Sequence, residues 1–322
     1  MSEEINADRR TFLRQSLLTA AAAALPPAAA EAAVAPARAR RPGPLCLFSK
    51  PLPHMGYAEL ARSVRQAGFE GIDLTVRPGG HVVPERVPVD LPRAAEAIRS
   101  EGLAMPFITT DLHEASDPGA DATLATAGKL GIHLFKPGYY QYRYRNVQAE
   151  LQEAGRKFRS LAALGARHGV AIGYHNHEGM IGAPVWDMAS VILPMDPRWA
   201  GFYFDVRHAT VEGGSAGWRI AAHMVQPRLK MIGMKDFYWE KTSRGWKIID
   251  CPLGEGMVHW PEYFRILAQA GYSGPVSLFL EYDIPGRTIA EQQDNTLAAA
   301  KRDLDFLRHG LDTAYAAAYA ER

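Results

Sequence analysis

The sequence has few cysteines: Cys46 and Cys251 are the only two among its 322 residues. Two cysteines cannot form the set of several disulfides that stabilises small secreted domains, and they make no Cys-based zinc motif. A bond between them would require the fold to bring them together, so we expect two unpaired, buried thiols. Because 47% of the residues are hydrophobic, the chain can bury a large core instead.

The sequence also lacks an excess of charge of either sign. Its 36 Lys and Arg residues face 35 Asp and Glu residues, and the basic residues are spread along the chain. Nucleic-acid-binding proteins concentrate positive charge on one surface or stripe. The sequence therefore argues against a nucleic-acid partner.

No long apolar run occurs beyond the N-terminal segment. Within that segment, the run Arg9 to Arg14 resembles a twin-arginine export motif, and it precedes an uncharged run from Ser16 to Leu25 and the small residues Ala28 to Ala30. A frayed alanine-rich helix is the alternative, but the order of charged, apolar and small residues is typical of a signal peptide. The apolar run is too short to cross a bilayer, which takes about 20 helical residues.

We therefore predict that residues 1–37 are a twin-arginine signal peptide and linker, and that residues 38–322 form a single catalytic domain. The mature chain is predicted to be periplasmic, or otherwise exported through this route, and to have no membrane span.

After Pro44 the chain repeats one pattern, in which an amphipathic helix and a glycine lead into a short β-rich run. The eight β-rich runs are Leu45–Ser49, Gly71–Val76, Leu103–Thr109, Ile132–Lys136, Val170–Tyr174, Gly201–Asp205, Leu229–Lys235 and Val276–Glu281. The helical patterns are Tyr57–Ala67, Pro92–Ser100, Ala120–Lys129, Val147–Arg167, Trp186–Leu193, Gly217–Val225, Trp260–Ala270 and Ile289–Arg308. Strands that alternate with crossover helices form a parallel sheet, and eight such units predict an α/β fold of the (β/α)8 TIM barrel type. A doubly wound open sheet is the competing topology, but no Gly-x-Gly-x-x-Gly turn follows the first run.

The active site of such a barrel lies at the carboxyl ends of the strands. Polar residues follow nearly every predicted strand there: Ser49, Lys50, Asp73, Thr75, Arg77, Thr109 to Asp111, Lys136, His175 to Glu178, Asp205, His208, Lys235, Asp236 and Glu281 to Asp283. Their clustering at one end indicates a catalytic site.

The stretch Tyr174 to His177 is the most informative part of this set. Residues two apart in a strand point to the same side, so His175 and His177 can both face the barrel axis. With the strand-end carboxylates Asp205 and Glu281, they predict a site for a divalent metal ion such as Mn, Co, Zn or Mg. The alternative is that the histidines only form hydrogen bonds in a polar barrel mouth.

Three further residues are candidates for proton transfer. His208, just past the sixth strand, is a candidate acid or base, with a loop-capping hydrogen bond as the alternative. Lys235 ends an apolar run, and a lysine in an apolar pocket can have a depressed pKa and can stabilise an enolate; a salt bridge to Asp236 or to another strand-end carboxylate is the alternative. Lys136 is treated in the same way.

Two loops are predicted to contact the substrate. The loop after the second strand offers Arg77, His81 and Glu85 on a Gly/Pro scaffold, and the segment 139–144 after the fourth strand is rich in tyrosine, from which we select Tyr140. Aromatic hydroxyls suit a carbohydrate, and Asp236 is a further candidate contact. The tyrosines could equally form a packing cluster or the contact of a homo-oligomer.

From about Pro44 to the last helix, the sequence resembles the xylose isomerase-like superfamily of sugar phosphate isomerases and epimerases. The resemblance rests on the strand Gly169 to His177, the Asp-x-x-His at Asp205 to His208, Lys235-Asp236, the Gly-Glu-Gly at 254–256 with Trp260, and Leu280-Glu281. It implies a TIM barrel whose divalent metal is held by glutamate, aspartate, histidine and glutamate from consecutive strands. Asp205 and Glu281 match two of these ligands.

The other two ligand positions differ, because His175 stands at the first glutamate and Gly233 at the histidine. Since the two glutamates also move protons in the epimerases of this superfamily, the form Tyr174 to His177 is more similar to its dehydratases and keto-sugar lyases. We expect a metal-dependent isomerase, epimerase or lyase that removes a proton next to a carbonyl of a sugar, keto-sugar or inosose. A catalytically inactive periplasmic sugar-binding barrel is the alternative. A nuclease similar to endonuclease IV is disfavoured by the balanced charge.

Overall fold

The computed structural model describes residues 41–321. The predicted signal peptide and linker lie outside the described residues. Between residues 41 and 321, no helix is both long enough and apolar enough to cross a membrane.

Eight parallel strands form a closed barrel, which confirms the predicted fold. The barrel strands are β1 (Leu45–Phe48), β2 (Gly71–Val76), β3 (Phe107–Thr110), β4 (Leu134–Lys136), β5 (Ala171–His175), β6 (Ala200–Asp205), β7 (Leu229–Met234) and β10 (Val276–Leu278). The first strand closes the ring, because Leu45 pairs with Val276 on one side and Cys46 pairs with Gly71 on the other.

Helices follow the strands on the outside of the barrel. They are α1 (Tyr57–Gln66), α2 (Val87–Ser100), α3 (Ala120–Lys129), α4 (Val147–Arg167), α5 (Trp186–Ile192), α6 (Val206–Val225), α7 (Trp260–Gln269) and α8 (Ile289–Ala320). Most bounds agree with the predicted helices to within a residue or two. Helix α2 starts five residues earlier than predicted and α8 continues to Ala320, beyond the predicted end at Arg308.

Helix α6 begins directly after β6, although the sequence pattern predicted a start at Gly217. The Asp205 side chain caps it by accepting hydrogen bonds from the backbone N–H groups of Arg207 and His208. Gly214 interrupts the helix with φ 58° and ψ −149°. The glycines around this kink mask the helical pattern before it, so the sequence prediction detected only the second half.

An antiparallel hairpin, which the sequence analysis did not predict, follows β7. It consists of β8 (Asp236–Thr242) and β9 (Gly245–Cys251), and its first pair joins Asp236 to Cys251. Trp246, in β9 of the hairpin, is 65% exposed. Because it leaves the barrel after β7 and returns before α7, it adds a second sheet without changing the barrel order.

The side chains pack in two hydrophobic clusters, as expected for strands whose residues alternate between two faces. A small inner cluster fills the barrel and consists of Cys46, Phe48, Phe107, Tyr203, Met231 and Phe279. A much larger outer cluster lies between the strands and the helices. Gly173 faces the inner cluster, where a Cβ atom would lie 2.3 Å from the Met231 Cε atom, so the filled barrel has no room for a larger residue there.

Cys46 and Cys251 are buried and unpaired, as predicted.

Candidate active site

The strand ends place ionisable side chains around one volume at the carboxyl end of the barrel. Lys136 ends β4, His175 ends β5 and Asp205 ends β6, while Lys235 follows β7. A cavity of about 90 Å³ opens among them. It is lined by Phe48, Lys50, Arg77, Thr109, Lys136, Tyr139, His175, His177, Tyr203, Lys235, Phe279 and Glu281. The predicted clustering of polar side chains at this end is therefore present.

Two imidazoles converge on one oxygen atom of Asp205. The His175 Nε2 atom lies 3.3 Å from Asp205 Oδ2, and the His208 Nε2 atom lies 3.8 Å from the same oxygen. All three side chains are buried, and their ligand atoms lie within 4.8 Å of one another. The other oxygen, Oδ1, accepts the capping hydrogen bonds of α6, so Oδ2 is the atom left to face the imidazoles.

The backbone of Asp205 is held as firmly as its side chain. The Asn176 side chain donates from Nδ2 to the Asp205 carbonyl oxygen at 2.9 Å and accepts from the Asp205 N–H at 2.8 Å. Asn176 follows His175 at the end of β5, so this pair of hydrogen bonds fixes the two neighbouring strand ends relative to each other. The spacing of His175 and Asp205 is therefore set by the hydrogen bonds between the Asn176 side chain and the Asp205 backbone.

Each converging imidazole has an outer partner on its second nitrogen. The Tyr139 hydroxyl lies 2.8 Å from His175 Nδ1, and the Glu178 carboxylate contacts His208 Nδ1. Such outer contacts set the tautomer and ring orientation of metal-binding histidines. In the tautomer that donates from Nδ1 to Glu178, the His208 Nε2 atom carries a lone pair directed at Asp205.

The imidazoles in the site are neutral at neutral pH. Burial, together with the nearby Lys235 ammonium, holds the pKa values of His175 and His208 well below their usual range. The same two causes lower the pKa of His177 to about 4. Neutral imidazole is the form that binds a metal ion or accepts a proton.

His177, predicted as a metal ligand, lies apart from the Asp205 oxygen. Its ring stacks on that of His208 with the centroids 4.0 Å apart, and its centroid is 6.3 Å from that of His175. Its Nδ1 atom lies 3.0 Å from the Glu178 carbonyl oxygen, to which it donates. Its Nε2 atom therefore carries the lone pair, and the ring lines the cavity.

Glu281, also predicted as a ligand, is bound by two lysines. Lys50 Nζ lies 2.8 Å from Oε1, and Lys235 Nζ lies 2.6 Å from Oε2. Burial alone would raise the pKa of Glu281, but the two ammonium groups outweigh it and hold the pKa well below its usual range. Glu281 is thus an ionised carboxylate with both oxygens in use.

Lys136 and Arg77 line the same cavity and have no carboxylate partner among residues 41–321. Lys136 is only 3% exposed, and its Nζ atom lies 3.5 Å from the centroid of the Tyr139 ring. Burial and the neighbouring Arg77 lower its pKa to about 7. Arg77 follows β2, and its guanidinium lies 5.9 Å from the Phe48 ring centroid.

Below the cavity, one buried carboxyl links its own strand, β2, to three other barrel strands. Asp73 accepts hydrogen bonds from Thr109 at 2.7 Å, Ser277 at 2.9 Å and Tyr203 at 3.1 Å. Burial raises its pKa to about 6, against the effect of these hydrogen bonds and of Lys136. Because hydroxyl groups satisfy it, Asp73 is a structural element of the barrel interior.

Four predicted substrate contacts have other partners or other positions. His81 contacts Thr75 Oγ1 and the Leu52 carbonyl oxygen, both at 3.1 Å, which supports the loop after β2. Glu85 is exposed on the surface. The Tyr140 hydroxyl donates to the His113 carbonyl oxygen at 2.6 Å, and its ring stacks on Tyr174. None of these side chains lines the described cavity.

Asp236 is the fourth, and it is completely buried. Its carboxylate accepts five hydrogen bonds, from the N–H groups of Phe237, Gly254, Gly256, Val258 and the Trp260 indole. It therefore fixes the loop between the hairpin and α7, and no oxygen is left for a substrate.

The sequence analysis did not select three residues that the structure places in the site. Tyr139, rather than Tyr140, contacts His175, and Lys50 binds Glu281. Glu178 contacts both His208 and Arg207. Lys50 and Glu178 belong to the strand-end polar set, and Tyr139 to the tyrosine-rich segment, but strand periodicity does not extend into loops, so it could not show which of them face the cavity.

The chemistry of these side chains fits a divalent ion held by His175, Asp205 and His208. Two nitrogens and one carboxylate oxygen form a ligand set that zinc and other transition metals accept. The His208 Nε2 atom is buried and lacks a hydrogen-bond partner in the described part of the chain. Lys235 lies 3.8 Å from Asp205 Oδ2, but its closer partner is Glu281, so Asp205 Oδ2 can accept another partner.

Comparisons with known proteins agree with this architecture. The sequence pattern of the family described as xylose isomerase-like TIM barrel matches residues 61–309. No curated protein matches the chain in sequence.

Several solved structures have the same fold at low sequence identity. D-psicose 3-epimerase from Clostridium cellulolyticum H10 is 15% identical, with a TM-score of 0.65 over 84% of this chain and 99% of that one. A probable 3-DHS dehydratase of petrobactin synthesis from Bacillus anthracis is 15% identical, with a TM-score of 0.63 over 83% and 99%. A xylose isomerase-like TIM barrel protein from Mycobacterium smegmatis, solved in complex with magnesium, is 16% identical, with a TM-score of 0.58 over 81% and 97%.

Proposed function

The chain belongs to the xylose isomerase-like TIM barrel family, and on this basis we propose that it rearranges a small carbohydrate by removing a proton from the carbon next to a carbonyl group. The reaction is an isomerisation, an epimerisation or an elimination on a sugar, keto-sugar or inosose. These three reactions share the first proton abstraction and differ in the second step. The sugar epimerases and the dehydratase among the similar structures support this range of reactions.

One observation carries the proposal: the buried His175 and His208 direct their Nε2 atoms at the same oxygen of Asp205, 3.3 and 3.8 Å away. An imidazole pair with outer partners on both Nδ1 atoms is the arrangement of a metal site. We assign the ion to His175, Asp205 and His208 in place of the predicted set that included His177 and Glu281. When bound, a divalent ion there would supply a Lewis acid that polarises the substrate carbonyl.

The chain's own residues would move the proton. The neutral His177 lines the cavity with a free Nε2 lone pair, so it would accept the proton as the C–H bond breaks. The electron pair of that bond would shift to the carbonyl oxygen and form an enediolate. The Lys235 ammonium would donate a hydrogen bond to the developing negative charge, and Glu281 would hold that ammonium in place at 2.6 Å.

The proton step is tested by solvent deuterium incorporation. Wild-type protein, prepared with Mn, Co, Zn or Mg, is incubated in D₂O with D-fructose, D-psicose, 3-keto-D-glucose and an inosose, and proton loss is followed by NMR. We expect exchange at a carbon next to the carbonyl of at least one compound. We also expect His177→Gln to abolish it, whereas His223→Gln, at an exposed position on α6, should retain it.

The metal assignment has its own measurement. Elemental analysis is expected to find close to one divalent ion per chain in the wild-type and His177→Gln proteins, and much less in His175→Gln and His208→Gln. Sugar binding without exchange in any compound would favour an inactive sugar-binding barrel. A metal-free wild-type protein that still exchanges deuterium would contradict the metal site alone.

We further propose that the chain is exported through the twin-arginine route. The charged, apolar and small segments of residues 1–37 support this proposal. Replacement of Arg9 and Arg10 by lysine should retain the protein in the cytoplasmic fraction of a bacterial host with this pathway. Export that is unaffected by the replacement would contradict it.

A further inference from the structure

We propose that the substrate carries a carboxylate group and that Arg77 and Lys136 bind it. This inference rests on the proposed function, because it assigns a substrate class to the same cavity. It concerns Arg77, which follows β2, and Lys136, which ends β4, neither of which is an assigned metal ligand.

Lys136 is the first part of the evidence. Only 3% of Lys136 is exposed. Its side chain forms neither an ion pair nor a hydrogen bond with any residue between 41 and 321. Its Nζ atom lies 3.5 Å from the centroid of the Tyr139 ring. A buried ammonium without an anion is unfavourable, so proteins rarely keep one unless a ligand completes it.

Arg77 is the second part. Its guanidinium also forms no ion pair or side-chain hydrogen bond with any described residue, and it lies over the Phe48 ring at 5.9 Å. Both Arg77 and Lys136 line the cavity of about 90 Å³. A guanidinium has a planar fork of donors that matches the two oxygens of a carboxylate.

The charge balance of the cavity supports an anionic ligand. Four cationic side chains line it, namely Lys50, Arg77, Lys136 and Lys235, against the single carboxylate of Glu281. Glu281 is already bound by Lys50 and Lys235 at 2.8 and 2.6 Å. Two cations are therefore left without an anion.

Nearby carboxylates do not fill this role. Asp73 lies below the cavity and accepts hydrogen bonds from three hydroxyl groups. Asp111 influences Lys136 electrostatically, but its side chain is 54% exposed and makes no ion pair with it within 4.0 Å. Asp205 faces the imidazoles and the Lys235 ammonium.

A carboxylate fits this position better than a phosphate. Phosphate sites in proteins commonly use backbone N–H groups at the start of a helix. At the start of α6 the Arg207 and His208 N–H groups are already bound by Asp205 Oδ1. The cavity is also small, at about 90 Å³, so it accepts one end of a substrate.

The inference is tested by measuring, with titration calorimetry, how tightly matched acids and neutral sugars bind to the metal-loaded full-length protein. The pairs are D-glucuronate with D-glucose, D-galacturonate with D-galactose, and 2-keto-D-gluconate with D-fructose, and D-glucose 6-phosphate serves as a phosphate probe. We expect at least one acid to bind about tenfold or more tightly than its neutral partner. Arg77→Gln and Lys136→Met should each remove about tenfold of that acid's affinity and leave the neutral partner's affinity within about twofold.

Matched controls remove the same charge from exposed positions, in Arg65→Gln on α1 and Lys129→Met on α3, and should leave acid binding unchanged. Thermal unfolding checks that every variant is folded. Equal affinity for each acid and its neutral partner, insensitivity to both variants, or preference for the phosphate probe would overturn the inference. Selective acid binding without deuterium exchange would overturn the proposed reaction and retain the carboxylate site, so the two failures are distinguishable.

Discussion

Two groups of side chains at the barrel mouth differ in how their polar atoms are satisfied. The imidazole cluster, formed by His175, Asp205 and His208, has an outer partner for almost every atom that does not face its centre. The cationic pair, formed by Arg77 and Lys136, has no anionic partner among the described residues. The first group is organised for a component that stays bound, whereas the second carries charge that no described residue pairs with, as a site for a transient anionic ligand would.

We expect the largest effect from a change at Asp205, because both imidazoles of the cluster converge on its Oδ2 atom. Asp205→Asn removes the negative charge but retains a side chain that can cap α6. We expect kcat/KM, or the rate of deuterium exchange, to fall by about a thousandfold or more, and bound metal to be lost. Asp294→Asn, on the exposed face of α8, is the control for the loss of one carboxylate. Near-normal exchange in Asp205→Asn would exclude this cluster as the reaction centre.

The outer partners of the cluster should have a smaller effect. Glu178 contacts His208 Nδ1, and Glu178→Gln replaces a charged acceptor by a neutral amide. We expect a loss of roughly 10- to 100-fold in metal affinity, because such contacts orient the ligand and raise its basicity. Competition with a metal indicator dye measures it. Unchanged affinity would show that the Glu178 contact does not support a ligand.

Substitution in the cationic pair should raise the stability of the protein, because removing a buried, unpaired charge stabilises the fold. The substitutions in the imidazole cluster, in contrast, are expected to cause losses. Burial lowers the pKa of Lys136 from 10.5 to about 7. Below pH 7 the ammonium group is therefore charged in both states, and it is better hydrated in the unfolded chain than in the folded protein. Between pH 7 and 10.5 the unfolded state binds more protons than the folded state, and wild-type stability therefore rises with pH in this window.

Lys136→Met should accordingly stabilise the ligand-free protein by roughly 2 to 4 kcal/mol at pH 6, since one pKa unit is worth about 1.4 kcal/mol. The melting temperature should rise by roughly 5 °C or more, and the gain should shrink towards pH 10. Scanning calorimetry at pH 6, 8 and 10 measures it, with Lys129→Met as the control. A destabilised variant at pH 6 would show that the charge is satisfied in solution.

The smallest effect is expected at Asp250 of the hairpin, which supports the imidazole cluster only through Arg207. Arg207 lies between Glu178 and Asp250, with N–O distances of 2.5 Å to each. Asp250 is 27% exposed, so Asp250→Asn should weaken metal affinity only about two- to fivefold. Glu240→Gln, on the neighbouring strand of the hairpin, should change nothing. A loss as large as that of Glu178→Gln would place Asp250 among the principal supports.

Strand periodicity predicted the barrel well, because the strands present buried residues on both faces and five of the eight barrel helices end near a glycine. It also placed Asp205 and His175 at adjacent strand ends. Periodicity could not rank the partners of an ionisable group, which depend on distances of about 1–2 Å. Glu281 therefore resembled a metal ligand, while two lysines occupy its oxygens. His208, predicted as an acid or base, lies in the cluster with His175 and Asp205.

The missed hairpin has a different cause. The stretches Phe237–Thr242 and Gly245–Cys251 are rich in aromatic and β-branched residues and flank a short polar turn, which is a recognisable hairpin signal. The eightfold pattern had no place for two more strands, so the segment remained unassigned. The five hydrogen bonds of Asp236 were missed for the same reason, since most of them come from the loop that follows the hairpin.

Two polar contacts link the hairpin to the rest of the structure, and this has a mechanical consequence. Asp236 fixes its base, and Asp250 near its return end holds Arg207, the residue directly before His208 in α6. Any movement of the hairpin as a rigid unit must therefore either break the Arg207–Asp250 ion pair or displace the first turn of α6. The position of the second imidazole thus depends on a sheet that lies outside the barrel and contributes no side chain to the cavity.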